Sequence, residues 1–481
     1  MPKPTQPGDI YALIDAIFHP RSIAVVGASA NPDTPGYDYV HTLQQFGYQG
    51  RIYAVNPKAE EILGLPVHRS LREVPGKVDC VISCVPNAFV LDLVDDCAAK
   101  GVKALQLFTG RFSETGRPDA IDLEHRLLDA ARKAGVRLIG PNCMGLLYPK
   151  LGISFRTDMS REAGTVGFLS QSGNLLFELT HFGGSRGLRF SKAISYGNAL
   201  DLSESDFLDY FAQDAETEVI GAYVEGVKDG RAFLAALKRA AARKPVIVLK
   251  GGRTRAGGRA AASHTAALAG TSDVWNAAVA QAGAMSVGTV EELIDMLIAF
   301  DFMKPPAGRR LAMVGAGGGR SVLTADLCEE LGLPVPPLPD DVQRKVAEKA
   351  PDLAGWLTNP VDQSMLAGSG LGGAQVLEWL DEGSGIDLLV ANVGEPWAFG
   401  RPNAESIIPR VTERFIQIGT KTQKPFAVVL GPSDYSDESH WRLVSVARER
   451  LVEAKIALFP SVERAVRTLA RMAAYWEGRA S

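Results

Sequence analysis

Three times along this chain an apolar run ends in a turn of small residues and opens into a helix: "SIAVVGAS" at 22–29, "GTVGFLSQSGN" at 164–174 and "RRLAMVGAGGGR" at 309–320. A strand that is apolar throughout, rather than at alternate positions, has to be covered on both faces, which is the condition of a parallel sheet clothed by crossover helices. The intervening sequence supplies that alternation. After the first turn the pattern predicts a helix near 37–47, strands at 51–57 and 79–86, a helix over 88–101, a strand at 103–110, a helix around 119–135 and a strand at 136–142. The second unit predicts strands at 189–198, 219–226 and 245–252, with helices at about 203–213, 230–243 and 272–282. After the linker "KPPAG" (304–308) the third predicts strands at 386–394 and 425–432, and helices near 321–332, 404–420, 438–453 and from Val462 onward. The expected fold class is α/β, in three doubly wound domains, an architectural repeat without recognisable sequence identity between the units.

Length agrees, since 481 residues at about 150 per domain make three. The balance of 51 basic against 55 acidic residues, net −4, offers no reason to expect nucleic acid or an anionic membrane as partner. No apolar run approaches the ~20 residues of a membrane span. The first residues carry Asp9 and Asp15 and show no cleavable signal pattern, so a cytoplasmic protein is expected. Five scattered cysteines include no C-x-x-C pair; Cys80 and Cys84, in one strand-like run, are expected on one face as reduced, buried thiols. Seven dispersed histidines form no ligand cluster, and no metal site is expected.

Open α/β sheets bind ligands at the carboxyl ends of their strands, where helix N-termini offer unpaired N–H groups and a partial positive charge. The first turn, "GASANPDTPG" (27–36), lacks the G-x-G-x-x-G spacing of a dinucleotide site. The second strand ends in "VNPK", placing Lys58 where an NAD site wants an acid. Lysine there suits a phosphorylated nucleotide such as CoA, the alternative being an ordinary exposed loop lysine. The second turn, "SQSGN" (170–174), groups two hydroxyls and an amide at a helix start. That set suits a phosphoryl group, although Ser172 or Asn174 as a plain N-cap is the simpler account.

His264 stands in "AASHTAALAG" (261–270), a clearing of small residues after the basic run "GGRTRAGGRAA" (251–261), which is read as flexible loop. Imidazole accepts a phosphoryl group on one nitrogen while an acceptor holds the other. Small neighbours let donor and acceptor approach it. The turn at 170–174 and a helix starting near Thr271 would supply positive dipoles, and Glu225, at the end of "VIGAYVEG", would orient the ring.

The stretches "HPRSIAVVGAS", "GYQGRIYAVNPKAEEILGLPVHRSL", "GVRLIGPNCMGLL", "GTVGFLSQSGNL", "SYGNALDLSESDFLDYF", "VIGAYVEG", "VIVLKGGRT" and "SHTAALAG" follow one another over residues 19 to about 300. In this order they resemble the α subunit of NDP-forming acyl-CoA synthetases, relatives of succinyl-CoA synthetase. The region beyond 305 resembles the additional CoA-ligase domain of the ADP-forming acetyl-CoA synthetase branch. The resemblance implies a Rossmann-like CoA-binding domain over 1–148, a flavodoxin-like ligase domain with a phosphohistidine loop over 149–303, and a second flavodoxin-like domain over 304–481. It implies the reaction acid + ATP + CoA ⇌ acyl-CoA + ADP + phosphate, through acyl-phosphate and phosphohistidine intermediates. His264 is then the phosphate carrier and Glu225 its orienting carboxylate. Ser170, Gln171, Ser172 and Gly173 form part of the phosphate cradle. Gly27, Ala28, Ser29, Lys58, Val85 and Pro86 line the CoA site, and Asn142 joins them near the active centre.

The chain departs from the family pattern in four places. Ala266 replaces a glycine two residues after the histidine, "FTGRF" (108–112) replaces "SAGF", Gly315 replaces an asparagine, and Arg320 is unusual in the third turn. A variant acyl substrate accounts for such changes, as does partial loss of activity. Trp356, Trp397 and Phe399 would shape a larger pocket, but core or interface placement is the simpler expectation. Nothing in 305–481 has the size or pattern of an ATP-grasp module. ATP/ADP and Mg2+ are therefore expected on a separate ATP-grasp β subunit, as in an α2β2 assembly, with a small carboxylic acid as the remaining substrate. The alternative is a non-catalytic CoA- or acyl-CoA-binding protein that keeps the scaffold. His264, Glu225 and "SQSG" argue against it, because a binder needs none of them. An NAD-dependent oxidoreductase is disfavoured by the first turn and Lys58.

Overall fold

The structure, a computed structural model, describes residues 7–265, 272–399, 401, 403–431 and 437–480. It divides into two compact units, Met1–Leu293 and Ile294–Ser481. The first holds two sheets and the second holds one, each α/β and mainly parallel as the strand pattern required.

The first sheet contains β1 (Ser22–Val26), β2 (Arg51–Val55), β3 (Glu61–Ile62), β4 (Leu65–His68), β5 (Cys80–Ser83), β6 (Ala104–Leu107) and β7 (Arg137–Ile139), in the order β3-β4-β2-β1-β5-β6-β7. All pairings are parallel except the small β3–β4 hairpin. β5 and β6 are buried at every residue, which explains their unbroken apolar sequence. The crossover helices begin and end on sequence signals. Pro35–Phe46 has proline in its first turn, with Thr34 capping Tyr37 N, and stops at left-handed Gly47. Val90–Lys100 and Pro118–Ala134 stop at Gly101 and Gly135 in the same conformation. The chain leaves β1 in opposite directions along the sheet, so the crevice at the ends of β1 and β5 is the ligand-binding switch point.

The second sheet comprises β8 (Gly145–Leu147), β9 (Ala163–Ser170), β10 (Phe190–Ser195), β11 (Val219–Val224), β12 (Val246–Lys250) and β13 (Met285–Val287), ordered β13-β12-β11-β9-β10-β8. Its switch point lies between β9 and β11. The edge strand β8, antiparallel to β10, and the short β13 have too few residues to declare a period in sequence. The third sheet, in the second unit, orders β14 (Leu311–Ala316), β15 (Val361–Asp362), β16 (Leu388–Asn392), β17 (Phe426–Val429) and β18 (Ala457–Phe459) as β15-β14-β16-β17-β18, all parallel. Gly315 is obligatory in this sheet. With φ +102° its Cβ would sit 2.1 Å from Asn392 O, so a side chain has no room here. Arg320 points outward and pairs with Glu463 at 2.8 Å. Trp356 is exposed, whereas Phe399 packs against the core and stacks on His440.

Two local expectations change. The run 251–261, read as loop, is largely helical: Arg255–Thr265 is a helix, and Thr254 Oγ1 accepts from Gly257 N at 3.1 Å. Alanine and arginine favour helix strongly enough to carry the Gly257–Gly258 pair, and His264 therefore stands on a helix. The strand read over 79–86 ends at Ser83, where Cys84 N donates to Val26 O and Thr109 Oγ1 donates to Val85 O, so Cys84 lies in the turn rather than on the face of Cys80. All five cysteines are free thiols, and burial pushes Cys80 up to about 12.

Candidate active site

At the first switch point the backbone itself forms the cradle. Gly27 follows β1 at φ +88°, and a Cβ on it would lie 2.9 Å from the Cys84 carbonyl carbon. A Cβ on Gly36 would lie 1.9 Å from Gly27 O, so the helix Pro35–Phe46 is driven hard against the turn, N-terminus foremost. Gly27 N and Ala28 N bond Val55 O. Asn56 then ties the second strand's loop to the first turn: its Nδ2 donates to Ala28 O at 2.7 Å, and its Oδ1 accepts from Lys58 N at 2.8 Å. Lys58 is exposed beside this turn, Ser29 and Val85 are half-buried, and Pro86 is exposed at the end of β5. Gly27, Ala28, Ser29, Val85 and Pro86 thus gather at the ends of β1 and β5, with the N-terminus of the helix Pro35–Phe46 and the Lys58 ammonium beside them, the kind of setting that suits a phosphorylated nucleotide.

At the second switch point Gln171 is the organising residue. Its N–H donates to Tyr223 O, and its Oε1 accepts from Glu225 N at 2.7 Å and Gly226 N at 3.0 Å. The turn after β9 is thereby clasped to the end of β11. Ser172 is the N-cap of the helix Gly173–Ser185, accepting from Leu175 N. Ser170 is fully buried and spends its hydroxyl on Ser172 O. The plain capping account therefore holds for Ser172, while Ser170 and Gln171 shape the turn. Glu225 is 6 % exposed and accepts from Tyr223 Oη at 3.1 Å, and Lys250 Nζ donates to its carbonyl oxygen. Burial lowers the Lys250 pKa against the pull of Glu225.

Loops after β6 and β7 meet the turn after β9. A cavity of 510 Å³ is lined by Asn142, Arg111 and Glu114 from the first sheet's loops and by Gln171, Ser172 and Gly173 from the second. The helix Arg255–Thr265 packs on the turn Ser113–Thr115 that borders this cavity. The side chain of His264, together with Ala266 and Thr271, lies outside the described residues. Among those residues no group of three His, Cys, Asp or Glu has metal-holding geometry, and no helix is long and apolar enough to cross a membrane.

Sequence reasoning missed the buried polar layer behind the cavity. Asn198 Nδ2 donates to Glu114 Oε2 at 2.8 Å, Glu124 accepts from Ser113, and Lys228 donates to Ala199 O. Glu204, 3 % exposed, sits in the same layer, and its pKa is pushed up to about 7 by burial. Its free-chain value is 4.5. A carboxyl raised in the folded state costs nothing below pH 4.5 and its full penalty above 7, about 3 kcal/mol from the size of the shift. Glu204→Gln is expected to raise the melting temperature relative to wild type at pH 8 by several degrees more than at pH 4.5. Equal differences at the two pH values in paired thermal melts would refute this.

The chain is similar to known proteins over most of its length. The family described as a CoA binding domain matches residues 21–149, and the succinyl-CoA ligase like flavodoxin domain matches residues 163–300. The acetate–CoA ligase (ADP-forming) II subunit alpha of Pyrococcus furiosus is 36% identical over 404 residues, covering 83% of this chain and 87% of the relative. The acetate–CoA ligase (ADP-forming) I of Archaeoglobus fulgidus is 37% identical over 350 residues, covering 73% of this chain, and the match spans 50% of that longer protein. Among solved structures, the dinucleotide forming acetyl-coenzyme A synthetase 1 of Ca. Korarchaeum cryptofilum, in complex with phosphate and ADP, superposes with TM-score 0.81 at 31% identity, covering 97% of both chains.

Proposed function

The chain belongs to the family of α subunits of ADP-forming acyl-CoA ligases, which are acid–thiol ligases, and from that premise we propose that it catalyses acid + ATP + CoA ⇌ acyl-CoA + ADP + phosphate with a separate ATP-grasp β subunit. The observation that carries the reading is the clasp of Gln171 on Glu225 beside Asn142. It ties the helix start that, with Asn142, lines the 510 Å³ cavity to the strand end that carries the buried Glu225.

In this reading His264 takes the phosphoryl group from ATP held, with Mg2+, on the partner, and ADP leaves. Transfer from His264 to the acid's carboxylate makes an acyl phosphate and frees the imidazole. The CoA sulfur then forms the thioester and phosphate departs. The N–H groups at the start of Gly173–Ser185 face the transferring phosphate, where a helix N-terminus favours negative charge. Glu225 accepts from the imidazole and keeps the opposite nitrogen presented. Gln171 is a positioning residue, because its carbonyl oxygen holds the Glu225 and Gly226 amides. The Gly27 turn and Lys58 hold the phosphates of CoA, and Asn142 stands where the thiol enters. A mere CoA binder has no use for a buried carboxylate on a strand end that is tied through its backbone to a helix start.

The test is reconstitution. The purified chain is mixed with candidate ATP-grasp subunits, ATP, CoA and a panel of acids, and products are separated by chromatography. Acyl-CoA and ADP are expected in equal amounts, and only when both chains are present. Formation of AMP, or synthesis by this chain unaided, would sink the proposal.

A further inference from the structure

The loop after β6 brings an arginine to the 510 Å³ cavity on a backbone that a residue with a side chain adopts only at a cost. Arg111 has φ +69°, and Asn142, which lines the same cavity, has φ +57°. The surroundings hold Arg111 from both sides. Its N–H donates to Glu114 Oε1, and its carbonyl accepts from Asn87 Nδ2 at 2.9 Å. Glu114 is fixed in turn, because its Oε2 accepts from Asn198 Nδ2 at 2.8 Å. Thr109 Oγ1 donates to Val85 O, and Thr109 O accepts from Asn142 N, so the loop is tied to the ends of β5 and β7 as well.

All of this fixes the backbone and leaves the guanidinium over. Among the described residues the Arg111 side chain has no hydrogen-bond or ion-pair partner, and it is exposed. Among the described residues that line the cavity it is also the only cation, while Glu114, the only acid, has both oxygens engaged. Gln171, Ser172 and Gly173 bring the start of the helix Gly173–Ser185 to the same cavity. A helix start supplies about half a positive charge, less than a phosphoryl group in transfer requires. We propose that Arg111 is a catalytic residue whose guanidinium, together with that helix start, holds the phosphoryl group while it passes between its carrier and the acid. A planar guanidinium offers paired N–H donors to phosphate oxygens and keeps its charge at any working pH. No bond forms or breaks on Arg111 itself. The inference rests on the proposed ligase reaction and deepens it.

The reconstituted enzyme is run in reverse, from acyl-CoA, ADP and inorganic phosphate. Arg111→Gly suits the left-handed backbone, Arg111→Met keeps a long side chain on it, and both remove the charge. In each variant the KM for phosphate is expected to rise about tenfold or more, with those for acyl-CoA and ADP within about twofold of wild type. Inorganic phosphate titrated calorimetrically into the chain alone should bind about tenfold more weakly in both variants. An unmoved phosphate KM, an effect of Arg111→Met alone, or parallel rises in all three constants overturns the assignment and leaves the ligase reaction standing. So does a rise confined to the KM of the acid in the forward direction, which would make Arg111 a reader of the carboxylate. Turnover of no acid, with phosphate binding weakened in both variants, upholds Arg111 and overturns the ligase reaction. Turnover of no acid, with phosphate binding absent or unmoved, overturns both.

Discussion

His264→Ala is expected to abolish the acid-labile, alkali-stable phosphate that labelled ATP deposits on this chain in the presence of its partner, and to lower turnover on the order of 10⁴-fold or more. Loss of a covalent carrier removes a whole step rather than one interaction within it, which is why the effect is this large. The variant should keep its affinity for CoA, because the Gly27 turn, Asn56 and Val85 belong to the first sheet and owe nothing to that imidazole. Alanine also suits the helix Arg255–Thr265, so a folding defect is not expected. Label persisting on His264→Ala would move the phosphate carrier elsewhere. A matching loss of CoA affinity would mean that the substitution had damaged the scaffold rather than the chemistry.

The largest stability effect should come from Lys192. This ammonium is 1 % exposed, donates to Asp214 Oδ1 at 2.9 Å and Glu216 Oε2 at 2.7 Å, and sits 4.7 Å from the centre of the Tyr148 ring. Around it Phe18 of the N-terminal helix Pro7–Phe18 stacks on Tyr210 of the helix Glu204–Gln213. Lys192→Met keeps the volume and strands the Asp214 carboxylate, which should cost about 3–5 kcal/mol, or on the order of 10 °C in the melting of the first unit. Burial raises the Glu216 pKa, but hydrogen bonds from Lys150, Lys192 and Tyr148 outweigh it and hold the group at about 2 against a free-chain 4.5. Its contribution is therefore complete above pH 4.5 and disappears as pH falls toward 2, so the wild-type advantage over Lys192→Met should shrink on acidification. Scanning calorimetry at pH 7 and pH 3 decides the matter; a constant difference between the two would show that the charges contribute nothing. The double variant Lys192→Met/Asp214→Leu should recover much of the loss.

The architecture was legible because its causes are local. Unbroken apolar runs such as "CVIS" and "FAVV" state that both faces of a strand are covered, and helix starts such as Pro35 and stops such as Gly101 are written in single residues. Gly27 and Gly315 likewise stand where the backbone approaches closely at the strand ends. What sequence alone left open is how each polar residue is used. Ser170 and Gln171 read as phosphate ligands equal to Ser172. Only the fold turns Ser170 inward and sets Gln171 against Glu225, 54 residues away. The helix at 255–265, the edge strand Gly145–Leu147 and the left-handed backbone of Arg111 were equally invisible. Periodicity along a chain fixes which elements form and which face they bury. Partnership between side chains brought together from distant segments depends on packing, and packing exists only once the sheets have closed on one another.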